Sequence, residues 1–179
     1  VTPSAENIAA SVSAATRGKG LPPVHLWNPP FCGDLDIRIA RDGTWFYLGT
    51  PIGRPALVKL FSSILKKEAG KYYLVTPVEK VGIQVDDAPF VAVDVDHRDG
   101  DLHFTTQVGD TMIAGPDHPI RVERNPETGE PSPYVLVRSN LEALIDRKSF
   151  YRLVDLGLHD TWQGESWFGL RSKSTFFPI

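Results

Sequence analysis

Two stretches of this chain share one layout, and that repetition limits the folds open to it. The first runs from Arg38 to Leu65: Arg38-Ile39-Ala40-Arg41, a turn, Trp45-Phe46-Tyr47-Leu48, then an apolar helical run from Pro55 to Leu65. The second runs from Arg121 to Leu156: Arg121-Val122-Glu123-Arg124, a longer turn, Tyr134-Val135-Leu136-Val137, then Leu141 to Ile145 and Phe150 to Leu156. A hairpin-plus-helix unit stated twice predicts a duplicated architecture, and ligands commonly sit where such units meet.

Turn chemistry sets the expected registers. Asp42-Gly43 reads as a two-residue hairpin turn, placing Ile37 opposite Leu48 and Ile39 opposite Phe46, with Arg38 and Ala40 opposite Tyr47 and Trp45 on the other face. A helix follows, with Leu57, Leu60, Phe61, Ile64 and Leu65 on one side, Lys66 and Lys67 at its negative end and Gly70 as its stop. Tyr72 to Thr76 and Val78 to Val85 read as strands broken by Pro77. Asp99-Gly100 marks a second hairpin. It groups Val91, Val93 and Val95 with Phe104, Thr106 and Val108, and leaves Asp94, Asp96, His103, Thr105 and Gln107 on the opposite face. Ser139 and Glu142 form a capping-box pattern for a short helix, and Ser149 is a candidate cap for another helix ending before Gly157.

Near the N-terminus, Ile8, Val12 and Ala15 recur at helical spacing between Ser4, a candidate cap, and Gly18, a candidate stop. The segment from Gly18 to Gly33 holds Pro22, Pro23, Pro29 and Pro30 around Val24-His25-Leu26-Trp27-Asn28, which predicts an extended path across a surface. The fold class is therefore α+β: duplicated antiparallel hairpin-plus-helix units packed together. The expected parts are an N-terminal helix in 1–19, a first α+β unit in 20–85 and a second in 86–179.

Composition excludes several function classes. The 179 residues are 41% hydrophobic and 23% charged, ordinary for a soluble globular protein. A net charge of -3 offers no bulk attraction to nucleic acid or anionic lipid. No apolar run approaches the ~20 residues that span a bilayer. The single cysteine, Cys32, fits a reducing compartment, and no basic stretch followed by an apolar core is present near the N-terminus. The expected location is the cytoplasm.

Chemistry-bearing residues are scattered. Asp94, Asp96 and His103 share a sheet face and could hold a divalent cation or serve a hydrolase, against the alternative of a solvated polar face. His25, Trp27 and Asn28 could stack on and hydrogen-bond a flat ligand. Arg54 and Arg138 each precede an expected helix, and with Arg147 could hold an anionic group. There is no phosphate loop, zinc spacing or nucleophile elbow, and no cofactor signature.

Several segments resemble a known family. They are His25-Leu26-Trp27-Asn28-Pro29-Pro30, Gly33-Asp34, Ile37-Arg38-Ile39, Asp42-Gly43-Thr44-Trp45-Phe46-Tyr47, Pro51-Ile52-Gly53-Arg54 and Tyr73-Leu74-Val75-Thr76-Pro77-Val78-Glu79-Lys80. They are similar to the uncharacterised bacterial family catalogued as domain of unknown function 1285, from about Gly20 onward. The resemblance implies a duplicated core, a C-terminal part like pleckstrin-homology-like folds, a nucleotide-like ligand at the interface of the two parts, and a role in signalling. The expected function is thus a non-catalytic small-molecule-binding module. Its candidate contacts are Trp27, His25, Asn28, Thr76, Glu79, Arg54, Arg138 and Arg147. A hydrolase using the Asp94, Asp96 and His103 face is one alternative. A scaffold meeting a protein partner through the proline-rich segment is the other.

Overall fold

Hairpins dominate because the turns are built from residue pairs in the left-handed region. Leu48-Gly49, Ala69-Gly70, Asp99-Gly100 and Gln163-Gly164 each have positive φ at both positions. That is the two-residue turn whose twist matches its flanking strands. The computed structural model describes residues 3–15 and 20–179. It divides into unit 1, Val1–Asp87, and unit 2, Ala88–Ile179. Among the described residues no helix is long and apolar enough to cross a membrane.

Unit 1 contains α1 (Ala5–Ala15), β1 (Phe31–Ile39), β2 (Trp45–Tyr47), β3 (Thr50–Pro51), α2 (Pro55–Ser62), β4 (Leu65–Glu68), β5 (Lys71–Val75) and β6 (Lys80–Val85). The strands form one six-stranded sheet in the order β3-β2-β1-β6-β5-β4. Two antiparallel meanders are joined by a parallel pairing of β1 with β6. Ile37, Ile39, Trp45, Phe61, Leu74 and Val81 are buried, as are Ile8 and Val12 of α1. The Ser4 hydroxyl accepts the Asn7 N–H at 3.2 Å and so caps α1. Gly18, the expected stop, lies outside the described residues.

Unit 2 repeats this topology. Its strands are β7 (Phe90–Arg98), β8 (Asp101–Thr106), β9 (Thr111–Ile113), β10 (Ile120–Arg124), β11 (Pro131–Arg138) and β12 (Leu141–Ile145). The order is β10-β11-β12-β7-β8-β9, with β7 and β12 parallel at the centre. After β12 come α3 (Arg147–Asp155) and a three-stranded sheet of β13 (Leu158–Trp162), β14 (Glu165–Ser172) and β15 (Thr175–Pro178). The architecture is two-part and α+β, and duplicated. The phase of the duplication differs from the sequence expectation: β1–β2 corresponds to β7–β8, not to β10–β11. The helices also differ in place, since α2 lies between the meanders and α3 follows the second one.

Five local expectations are corrected. The first hairpin pairs Ile37 with Tyr47, Arg38 with Phe46 and Ile39 with Trp45. Its loop has three residues, Arg41 to Gly43, because Ala40 and Thr44 close it through a 2.9 Å backbone bond. The added loop residue shifts the register by one and turns Trp45, rather than Phe46, into the core. In the same loop the Thr44 N–H, donating to Asp42 at 2.9 Å, holds the Asp42 carboxyl below its ordinary value.

Helix α2 stops at Ser62, short of Leu65. The Ser62 and Ser63 hydroxyls bond back to the carbonyls of Lys59 (2.7 Å) and Leu60 (2.5 Å), competing with continuation of the helix. Leu65, Lys66 and Lys67 therefore lie on β4. Leu141–Ile145 is a strand despite the capping pattern at Ser139, because it pairs with β11 on one side and β7 on the other. Two ladders outweigh a local helix preference. Asp146, not Ser149, caps α3, accepting the Ser149 N–H at 2.8 Å. The proline-rich segment is not wholly extended: Val24–Leu26 forms a 3₁₀ turn, and its end from Phe31 belongs to β1.

The register makes a prediction. Trp45 is 2% exposed and stacks on Phe61 at 6.3 Å between ring centroids, whereas Phe46 is half-buried under the Arg38 guanidinium. Trp45→Ala should cost about 3–5 kcal/mol in urea unfolding, and Phe46→Ala clearly less. A larger loss for Phe46→Ala would show that the sequence register is the real one.

Candidate functional site

The residues expected to bind a ligand fall on separate elements. His25 and Asn28 are exposed and Trp27 is half-buried, in and just after the 3₁₀ turn. Thr76 is fully buried, and its hydroxyl accepts the N–H groups of Val78 (3.3 Å) and Glu79 (3.1 Å). It staples the β5–β6 turn, and its backbone N–H bonds the Glu79 carbonyl at 2.9 Å. Arg54 is exposed at the start of α2 and borders a small groove of 260 Å³ with Ala9, Ile52 and Leu57. Arg138 pairs with Asp110 at 3.0 Å and lies over the Phe90 ring, while Arg147 pairs with Glu130 at 3.4 Å. In unit 2, therefore, both expected anion-binding arginines already have carboxylate partners.

The Asp94, Asp96 and His103 face does form the wall of a cleft. Alternation along β8 sends Leu102 and Phe104 into the core and leaves His103 and Thr105 on the other face. Asp96 pairs across to His103 and Asp94 to Thr105, while His103 and Thr105 face Ile113 and Thr111 of β9. The turn from Gly115 to His118, closed by two backbone bonds of 3.2 Å, and Lys173 at the β14–β15 tip complete a cavity of about 690 Å³.

One buried hydroxyl locks these parts together. Ser172, 1% exposed, accepts the Leu102 N–H at 2.9 Å and donates to the Ala114 carbonyl at 2.7 Å. The Lys173 N–H then donates to Asp101 at 2.8 Å. A side chain at Gly115 would meet Lys173 Cβ at 2.8 Å, so glycine there is what lets the tip approach.

The electrostatics are mixed. Asp94 pairs with Arg152 and Asp96 with Arg98, each at 2.8 Å. His118 Nδ1 lies 2.9 Å from the Leu136 carbonyl, so Nδ1 carries the donated proton and Nε2 remains available. Lys173 Nζ, His103 and Asp117 have no side-chain partner among the described residues. Among those residues no three His, Cys, Asp or Glu groups are placed to hold a metal ion. Of the alternative cation set, Asp94 and Asp96 are thus each paired with an arginine. Sequence reasoning found the sheet wall but missed Lys173, His118, Asp117 and Ser172. The usable signal was the Lys173-Ser174 turn, but only the fold links position 173 to position 103.

Comparisons with known proteins agree on one family. A family model described as "Domain of unknown function (DUF1285), N-terminal domain" matches residues 22–88. A second, "Protein of unknown function (DUF1285), C-terminal domain", matches residues 89–179. The crystal structure of a DUF1285 family protein from Silicibacter pomeroyi DSS-3 is similar at 64% identity and a TM-score of 0.85, covering 96% of this chain and 93% of that one. Another, from Shewanella baltica OS155, is similar at 31% identity and a TM-score of 0.55, covering 66% of this chain and 90% of that one. No curated protein matches the chain.

Ser172→Ala should destabilise unit 2 by about 2–3 kcal/mol, because a buried N–H and a buried carbonyl lose their shared partner. Urea denaturation measures this. A change below about 0.5 kcal/mol would mean that the hydroxyl does not hold the cleft together.

Proposed function

The chain belongs to the DUF1285 family across both of that family's domains, and from this premise we propose that it is a non-catalytic module that binds a small anionic, nucleotide-like molecule in the unit 2 cleft. The observation that carries this is a Lys173 ammonium with no partner among the described residues, presented in a preassembled polar cleft. Lys173 offers a cationic contact to an anionic group, and His118 Nε2, Asp94, Asp96, Thr105 and Thr111 offer acceptors and hydroxyls to a polyol such as a ribose. Rigid placement by the Ser172 bridge lowers the ordering cost of binding. The pleckstrin-homology-like likeness of unit 2 and a role in bacterial signalling belong to this reading. A six-stranded sheet followed at once by α3 supports the likeness. A protein-docking reading has one observation of its own, the exposure of Leu21 and Leu26 along the proline-rich segment.

A thermal-shift screen against nucleotides, nucleosides and sugar phosphates tests the proposal, since a ligand of the native state raises Tm with ln(1 + [L]/Kd). The expected hit loses about tenfold or more in affinity with Lys173→Ala and is recovered chemically unchanged. Three results would overturn it: no shift with any compound, a hit indifferent to Lys173→Ala but abolished by Arg54→Ala, or turnover abolished by Asp96→Asn.

A further inference from the structure

The face of the unit 1 sheet opposite its buried residues carries a second built feature, independent of the cleft. Residues three apart in a regular strand point to opposite faces. Phe31 and Asp34 nevertheless share a face, because β1 bulges between them: Phe31 pairs with Lys80 and Asp34 with Gly82, so three steps on β1 match two on β6. Gly33 sits in the bulge with φ +98°, a conformation open to glycine. Bulges of this kind re-aim side chains, and here the bulge brings Asp34 into line with Gly82 and Tyr73 across three strands.

At Gly82 the absence of a side chain is occupied by Asp34. A Cβ at Gly82 would lie 2.2 Å from Asp34 Oδ1, so the carboxylate rests on the bare backbone of β6. The Asp34 carboxylate is positioned by packing, yet it has no hydrogen bond or ion pair among the described residues. The neighbouring cations do not supply one. Lys66 and Lys80 both hold Glu68, at 3.2 and 2.6 Å, and Lys80 above all keeps the Glu68 carboxyl below its ordinary value. Lys71 lines the same hollow without pairing to Asp34. Beside the carboxylate, Phe31 is 56% exposed, an unusual position for its type, and stands edge-to-face with Tyr73 at 6.0 Å. Lys80 Nζ already lies 4.3 Å from the Tyr73 ring centre, which leaves the Phe31 ring as the unused aromatic surface. The hollow enclosing these groups measures about 480 Å³.

We propose that this hollow binds the head group of a small organic cation, an alkylammonium or guanidinium, with Asp34 as counter-ion and Phe31 as the aromatic wall. A lone carboxylate beside aromatic rings offers too few oxygens for a calcium ion, which takes about six to eight, and lacks the several nitrogen or sulfur ligands of a zinc site. It matches a cation that is weakly hydrated, stacks on a ring and donates to one carboxylate.

Chemical-shift titration of the full ¹⁵N-labelled chain with butylguanidine and butylamine, and with butanol as the uncharged control, tests this site. Saturable shifts are expected at Phe31, Asp34, Tyr73 and Gly82 with both cations and not with butanol. Asp34→Asn, isosteric and at an exposed position, should raise Kd about tenfold, whereas Glu127→Gln, exposed in the other unit, should leave it unchanged. Three outcomes each overturn the proposal: an Asp34→Asn Kd within about twofold of the wild type, shifts that map elsewhere, or equal shifts with butanol. Phe31→Ala, with the fold checked by circular dichroism, should weaken both cations, and unaltered affinity would remove the aromatic wall from the site.

Discussion

Each unit depends on one non-local pairing, the parallel contact between the first strand of one meander and the last strand of the next. In unit 1 this joins β1 to β6, and in unit 2 β7 to β12. The antiparallel hairpins on either side form from local turns, but alone each meander leaves an edge exposed and an apolar face half-covered. The parallel contact merges two three-stranded meanders into a six-stranded sheet and gives the buried residues of both a common face. It also explains why Leu141–Ile145 cannot be a helix, since this segment supplies the central strand of unit 2.

The two candidate sites lie on sheets of identical topology but are built by different local devices. The unit 2 cleft is assembled by a buried serine that fastens the tip of an added three-stranded sheet to the start of β8 and the residue after β9. The unit 1 hollow owes its geometry to a bulge and a glycine within the repeat itself. Duplication thus supplied two similar platforms, and small departures from regularity on each determine which polar groups are presented. Most surface arginines are answered by carboxylates, as with Arg138 and Asp110 or Arg121 and Glu142. Lys173 and Asp34 stand apart because their positions are held by packing and backbone bonds rather than by an opposite charge.

Legibility in the sequence varied with the range of the determining interaction. From its turn to Asp94 the Asp99-Gly100 hairpin was readable, and Asp96 does face His103, because a two-residue turn sets register locally; beyond that a bulge between Ala92 and Asp94 puts Ala92, not the expected Val93, opposite Thr106. Asp42-Gly43 carries the same dipeptide but closes a three-residue loop, and that difference moved Trp45 to the core. The two Asp-Gly turns occupy equivalent places in the repeat, on the β1–β2 and β7–β8 hairpins. They marked its true phase better than the arginine-led strands that suggested it. Of the eight expected ligand contacts, Thr76 is buried with its hydroxyl on the β5–β6 turn, and a hydroxyl serving a turn has the same sequence appearance as one serving a ligand.

The sequence by itself determined the α+β class, the two-part organisation, most hairpin positions and the polar face of β7–β8. These follow from alternation, turn residues and helical spacing, all of which act over a few residues. Tertiary structure alone decided the parallel central pairings, the fate of Leu141–Ile145, the neutralisation of Arg138 and Arg147, and the arrival of Lys173 beside His103. Each of these requires groups tens of residues apart to meet, and the free energy that favours their meeting comes from closing a whole sheet rather than from any short stretch of chain.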